Sequence, residues 1–224
     1  MKKMIVLAAI MLFQLVSAQD RTQTIGDFNV IKAFDQIDVL LVKSNENKII
    51  IKGSRKDDVE VVTKNNELKI RMKLSKLLKG DDISVTVYYK NAINQIDASE
   101  GARVASQDTF SATAFVLSAK EGAEVKLNIE AKKLTSKANS GGILDITGKS
   151  DNHDIVITSG GIFKGKQFVT KQTTVSINAG GEADVNATEF VDAKIRAGGD
   201  INVYGNPPQV NKKTFAGGSI NVKS

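Results

Sequence analysis

The sequence predicts an all-β protein, a single-stranded parallel β-helix opened by an N-terminal strand-rich capping block. Three observations carry this. A glycine-led dipeptide recurs seven times, with first glycines Gly101, Gly122, Gly141, Gly160, Gly180, Gly198 and Gly217. Their spacing is nearly even, and a fixed period of about 20 residues marks a solenoid. The residues after each glycine alternate apolar and polar, so each repeat begins with a strand that buries one face. No repeat has room for a helix with an apolar stripe.

Aligned on the first glycine, the third following residues are Val104, Val125, Leu144, Phe163, Ala183, Ile201 and Ile220. The fifth are Ser106, Leu127, Ile146, Gly165, Val185, Val203 and Val222. Between them lie mostly polar residues, among them Lys126, Asp145, Lys164 and Asp184, which alternate in sign. A second strand precedes each glycine, as in Ile155-Val156-Ile157, and a third apolar point is expected at Phe110, Leu134, Phe168, Phe190 and Val210. Each coil thus offers two or three short strands joined by turns, stacked on its neighbours about 4.8 Å apart. The glycines suit corners that need positive φ and close stacking. A phosphate-cradling loop would feed a helix N-terminus, whereas these glycines feed strands. The leucine-rich, hexapeptide and G-G-x-G-x-D calcium patterns are missing.

Residues 1–18 are expected to be a cleaved secretory signal. Lys2 and Lys3 precede an apolar run, and Val16-Ser17-Ala18 supplies small residues before the cut. The run Met4–Val16 falls well short of the roughly 20 residues that a membrane span needs. No other long apolar stretch occurs, so no integral span is expected. The protein is expected in the periplasm, at the cell surface or secreted. Zero cysteines exclude disulfides and thiolate chemistry.

The formal charge is +6, from 31 basic and 25 acidic residues, two of the former being Lys2 and Lys3. The rest is diffuse, so no nucleic-acid partner is expected. The densest basic stretch, residues 69–79, alternates Lys69, Arg71 and Lys73 with Ile70, Met72 and Leu74. It reads as a solvated strand face followed by a loop, with binding to an anionic surface as the alternative.

Residues 19–95 are strand-rich but outside the repeat. Alternation at 37–41, 49–51, 59–61, 68–72 and 83–89 reads as a five-strand meander. This block is expected to start and cap the solenoid, whose regular coils of about 19 residues occupy 96–224.

The chain resembles the family known as putative auto-transporter adhesin, head GIN domain. The likeness rests on Phe34-x-x-Ile37-x-Val39, on Ile83-Ser84-Val85-Thr86-Val87-Tyr88, on Ser140-Gly141-Gly142 and Ser159-Gly160-Gly161, and on Val203-Tyr204-Gly205-Asn206-Pro207. It covers residues 28–223. Glu100 and Glu121 depart from it, standing where serine is usual. The resemblance implies a right-handed β-helix, an extracytoplasmic location in a Gram-negative envelope and an adhesin-like role. It implies no catalytic residues.

Enzyme chemistry finds few candidates. The one histidine, His153, lies in Ser150-Asp151-Asn152-His153-Asp154, read as a polar turn. A zinc site needs several His or Cys ligands, and no cofactor or metal is expected. Glu182 and Asp200 share an outward column one coil apart, with Asp184 on the same face. Two carboxylates about 5 Å apart suit a retaining glycosidase. They form a possible ligand-facing acidic cluster, although the chain has no tryptophan and three tyrosines for sugar platforms. The sequence therefore predicts a non-enzymatic binding or scaffold module for an envelope or surface polymer or protein. The alternative is a polysaccharide hydrolase or lyase using these outward carboxylates. The last coil is expected to leave an open edge at 215–223, suited to end-to-end self-association or docking.

Overall fold

The structure, a computed structural model, describes residues 20–223; the expected signal at 1–18 lies outside them. Among the described residues sixteen strands form one continuous sheet wound into a solenoid. The N-terminal ones are β1 (Arg21–Thr24), β2 (Val30–Ala33), β3 (Asp38–Lys43), β4 (Lys48–Lys52), β5 (Val59–Lys64), β6 (Glu67–Met72), β7 (Ser84–Tyr89) and β8 (Gln95–Ala98). The coils follow as β9 (Arg103–Lys120), β10 (Glu124–Asn139), β11 (Ile143–Thr158), β12 (Ile162–Ile177), β13 (Glu182–Ala197), β14 (Asp200–Tyr204), β15 (Gln209–Ala216) and β16 (Ser219–Val222).

From β9 onward each strand pairs in parallel with its copy one coil later. The column Val104, Val125, Leu144, Phe163, Ala183, Ile201, Ile220 is in register throughout. Its members are buried as far as Ile201. A second buried ladder runs Ala119, Ala138, Ile157, Ile177, Ile195 on the opposite arm.

The coils differ from expectation in two ways. Each of β10 to β13 is one bent strand of 16 residues rather than two or three strands with turns. Bending without breaking keeps the inter-coil hydrogen bonds intact around the coil. The expected third apolar point falls in two columns, and Phe190 belongs to neither, aligning with Gln172 and Gln209. Phe110 aligns with Ile129, Gly148 and Phe168, while Leu134 aligns with Phe115, His153 and Thr173. Unequal coil lengths are absorbed where the register shifts, before the Phe110 column in β9 to β12 and again after Thr170 between β12 and β13.

The seven corners come in two kinds. Glu100, Glu121, Ser140 and Ser159 each have φ near +50° and precede a glycine near +74°, and the residue after that glycine donates back across the turn. This is a type I′ turn, which needs positive φ at both central residues. The last three corners move one residue on and use Gly180-Gly181, Gly198-Gly199 and Gly217-Gly218, both members at positive φ. The two glycines of a corner serve different ends. At Gly141 a Cβ would meet nothing within 4 Å, so only φ matters. At Gly142 a Cβ would lie 2.1 Å from the Ala119 carbonyl oxygen, so stacking matters. Glu100 and Glu121 form the same corner as the serines.

The N-terminal block is not a meander. Within β1 to β8, among the described residues, only β5 and β6 pair as sequence neighbours. One arm stacks β1-β4-β7-β3-β9, and the other stacks β5-β6-β2-β8-β9. The coil containing β6 and β7 therefore lies outside the coil containing β2 and β3, although it follows it in sequence. The chain then crosses back so that β8 and β9 stack on the earlier coil. At the outer end β1, β4 and β5 pair antiparallel with their neighbours.

Candidate functional site

The acidic cluster lies where its alternation places it. Glu182 and Asp200 are register partners on adjacent strands, and Asp184 lies two residues along the same face. Adjacent strands are about 4.8 Å apart. Both Glu182 and Asp200 are exposed. Asp200 accepts a hydrogen bond from the Ser219 hydroxyl at 2.5 Å, and Asp184 accepts one from the Asn202 amide at 2.9 Å. The alternating column is in register, and its Lys126–Asp145 step is an ion pair at 3.4 Å.

His153 is not in a polar turn. It is 2 % exposed and occupies the core column between Leu134 and Thr173. Its ring packs edge-on against Phe163 and Phe168, and Nε2 lies 2.9 Å from the buried Ser136 hydroxyl. Burial pushes its pKa from 6.5 down to about 3, so it is neutral at physiological pH. It has the hydroxyl partner of a triad but no path to solvent.

A groove crosses the coils at the bend in β9 to β12. Its floor is the column Ala112, Ala131, Ser150, Thr170, in register from strand to strand. Small side chains there leave a hollow of about 660 Å³ between two rails. One rail carries Ser111, Glu130, Lys149 and Val169, and the other Thr113, Lys132, Asp151 and Lys171. Glu130 pairs with Lys149 at 3.4 Å, and Asp151 with Lys171 at 2.8 Å. The hydrogen bond from Lys171 holds the Asp151 carboxyl below its usual range. Thr188 of β13 closes one end, so five strands contribute, a span of roughly 19 Å.

The floor hydroxyls of Ser150 and Thr170 are engaged within the fold, so the rails, with the Ser111 and Thr113 hydroxyls and the paired charges, are what can hydrogen-bond an extended polar chain. The sequence columns missed this floor because its offset from the corner drifts as the bulges intervene. Ala112, Ala131, Ser150 and Thr170 follow Gly101, Gly122, Gly141 and Gly160 at unequal separations. A column of small residues at a drifting offset was the available signal. Among the described residues no group of His, Cys, Asp and Glu is placed to hold a metal. Glu182, Asp184 and Asp200 lie outside this groove.

A family model described as putative auto-transporter adhesin, head GIN domain, matches residues 27–207. The chain belongs to this family. No curated protein matches the head GIN domain chain. Its fold is similar to that of a solved "putative adhesin" from Bacteroides fragilis NCTC 9343, at 19% identity and a TM-score of 0.83, covering 92% of this chain and 96% of that one. A "putative lipid binding protein" from Parabacteroides distasonis ATCC 8503 matches at 18% identity and 0.69, with the same coverage. A "putative adhesin" from Parabacteroides merdae ATCC 43184 matches at 18% and 0.65, again with that coverage. At these identities the likeness carries the fold.

Proposed function

We propose that this head GIN domain chain is an exported, non-catalytic binding module that holds an extended polymer or peptide of the cell envelope in the axial groove. The observation that carries it is the groove's floor, four small residues in strict register beneath two charged rails. The hollow is straight and open at the surface, which suits a long partner held by many weak contacts. The adhesin-type family supports a surface partner. An array of envelope glycans and peptides tests this. Ala131→Tyr, which fills the floor, and Lys132→Glu with Lys171→Glu, which reverses a rail, should each lower binding at least tenfold. Unchanged binding in both would sink the groove.

The carboxylate pair Glu182 and Asp200 supports the alternative of a carbohydrate-active enzyme less well. It lies on an exposed ladder rather than in the groove. Polymer hydrolysis that is lost in Glu182→Gln would establish that alternative. The reading also includes end-to-end association through 215–223. The outer edges of β15 and β16 have no strand partner among the described residues, and Val222 is exposed. Light scattering across a concentration series checks it: the wild type should gain mass with concentration and Val222→Lys should not.

A further inference from the structure

The corner that is tight in every later coil is enlarged between β6 and β7 to the whole stretch 73–83. This excursion occupies the same edge of the solenoid as the glycine corners. The adjoining turn at Gln36 donates to the Glu100 carbonyl oxygen, and Gly101 in turn donates to that of Glu121. The loop carries Leu74, Leu77 and Leu78, which are 71 %, 47 % and 53 % exposed. No other stretch of the described residues exposes three large apolar side chains within five positions.

The loop is held, not loose. Asp35 is 1 % exposed, and its carboxylate accepts the Met72 and Leu78 backbone N–H groups at 2.9 Å each. Its carbonyl oxygen accepts the Gly80 N–H at 3.0 Å. Leu78 has φ +56°, where a leucine is rare. A buried carboxylate thus fixes both ends of a loop whose leucines point away from the core, and backbone strain of this kind marks functional segments.

Charge identifies the occupant. Between Glu67 and Asp81 the chain carries Lys69, Arg71, Lys73, Lys76 and Lys79 and no acidic residue. Lys69 is engaged by Glu67, Arg71 by Glu60 and Lys73 by Asp58, and the nearby Asp81 and Asp82 by Arg55. Lys76 and Lys79, which alternate with the leucines, make no ion pair among the described residues. An exposed apolar tip flanked by two lysines without ion pairs suits a lipid interface, where apolar burial adds to attraction by anionic headgroups. We propose that the 73–79 loop is a membrane-surface anchor that inserts Leu74, Leu77 and Leu78 into an anionic bilayer leaflet. It is separate from the groove and stands whether or not the groove binds.

Vesicle co-sedimentation tests it on the chain freed of residues 1–19, whose apolar run would itself bind lipid. Every described strand lies in the remainder. The wild type should bind vesicles of equal phosphatidylglycerol and phosphatidylcholine at least tenfold more tightly than phosphatidylcholine alone. Leu74→Ser with Leu77→Ser should lose at least tenfold with an unchanged melting curve. Lys76→Glu with Lys79→Glu should abolish the anionic preference. The chain has no tryptophan, so Leu77→Trp provides a lone indole whose emission should shift to the blue on anionic vesicles. A wild type that does not bind anionic vesicles, or a double serine variant that binds as well as wild type, overturns the proposal. So does a mass that rises with concentration in the wild type but not in the serine variant, which would make the occupant a second copy.

Discussion

The two ends of the solenoid are finished differently. At the N-terminal end the last layers are antiparallel, and their inward side chains Ile49, Ile51 and Val59 are fully or almost fully buried. At the C-terminal end the buried column Val191, Ala193, Ile195 continues in register as Val210, Lys212 and Thr214. Val210 is half-buried, and the other two are exposed. Lys212 extends its ammonium to the Ile220 carbonyl oxygen on β16 at 3.3 Å. One end closes the core with apolar side chains and a change of strand direction. The other tapers it into polar side chains, an inward-pointing charge being a known guard on an open edge. Core strength should therefore fall along the axis.

The sharpest way to break this comparison is to place the same charge at both ends. Ile51→Asp should cost about 4 kcal/mol or more, because a buried unpaired carboxylate has no compensating partner. Ile220→Asp should cost less than about 1 kcal/mol, its site being partly solvated. Urea unfolding of both variants measures this, and equal losses would refute the taper.

Between the ends, His153 gives the core a pH dependence. The folded protein holds it neutral, with its pKa lowered from 6.5 to about 3 by burial. Between those values the unfolded chain binds the extra proton. The stability at stake is intact above pH 6.5 and declines as pH falls, at about 1.4 kcal/mol per unit. The loss should reach about 2 kcal/mol at pH 5. In His153→Leu with Ser136→Ala, which removes both partners of the buried hydrogen bond, the pH 7 to pH 5 difference should shrink by that amount. Melting curves at the two pH values measure it.

These features were unequally legible in the sequence. The column three residues after each glycine reads correctly from Val104 to Ile220 because alternation and a fixed corner set its register locally. The bent strands and split mid-coil column did not, because each register shift moves every later residue against its copy in the next coil, by one position or more. That is how the groove floor escaped; His153 stands as far behind Gly141 as Leu134 does behind Gly122, and escaped because a polar residue in an apolar column reads as a turn. The order of the N-terminal coils was illegible for another reason. β2 pairs with both β6 and β8, and nothing near Val30 records that the chain departs and returns. The acidic trio was placed on one face because it sits close behind its corners, before any bulge.

The tapered end makes a third prediction. Restoring the core column with Lys212→Leu and Thr214→Val should leave an apolar layer open at β15 and β16. The variant should then gain mass with concentration beyond the wild type in light scattering. A variant no more associated than the wild type would mean that Lys212 and Thr214 do not guard the end.

The smallest expected effect lies at the first corner, beside the N-terminal end. Glu100 has φ +56°, and asparagine accepts that region more readily than glutamate. Burial raises its carboxyl pKa above the usual 4.5, helped by the neighbouring Asp35 and Glu121 charges. An acid whose pKa is raised in the folded state penalises folding once it ionises. The penalty is absent below the ordinary glutamate pKa and complete above the raised one. Glu100→Asn should therefore stabilise at pH 7 by roughly 0.5–1 kcal/mol, adding the relief of charge to the gain in backbone fit. Near pH 4 only the backbone share should remain. Melting temperatures at the two pH values separate the shares, and a gain that does not grow with pH would remove the electrostatic one.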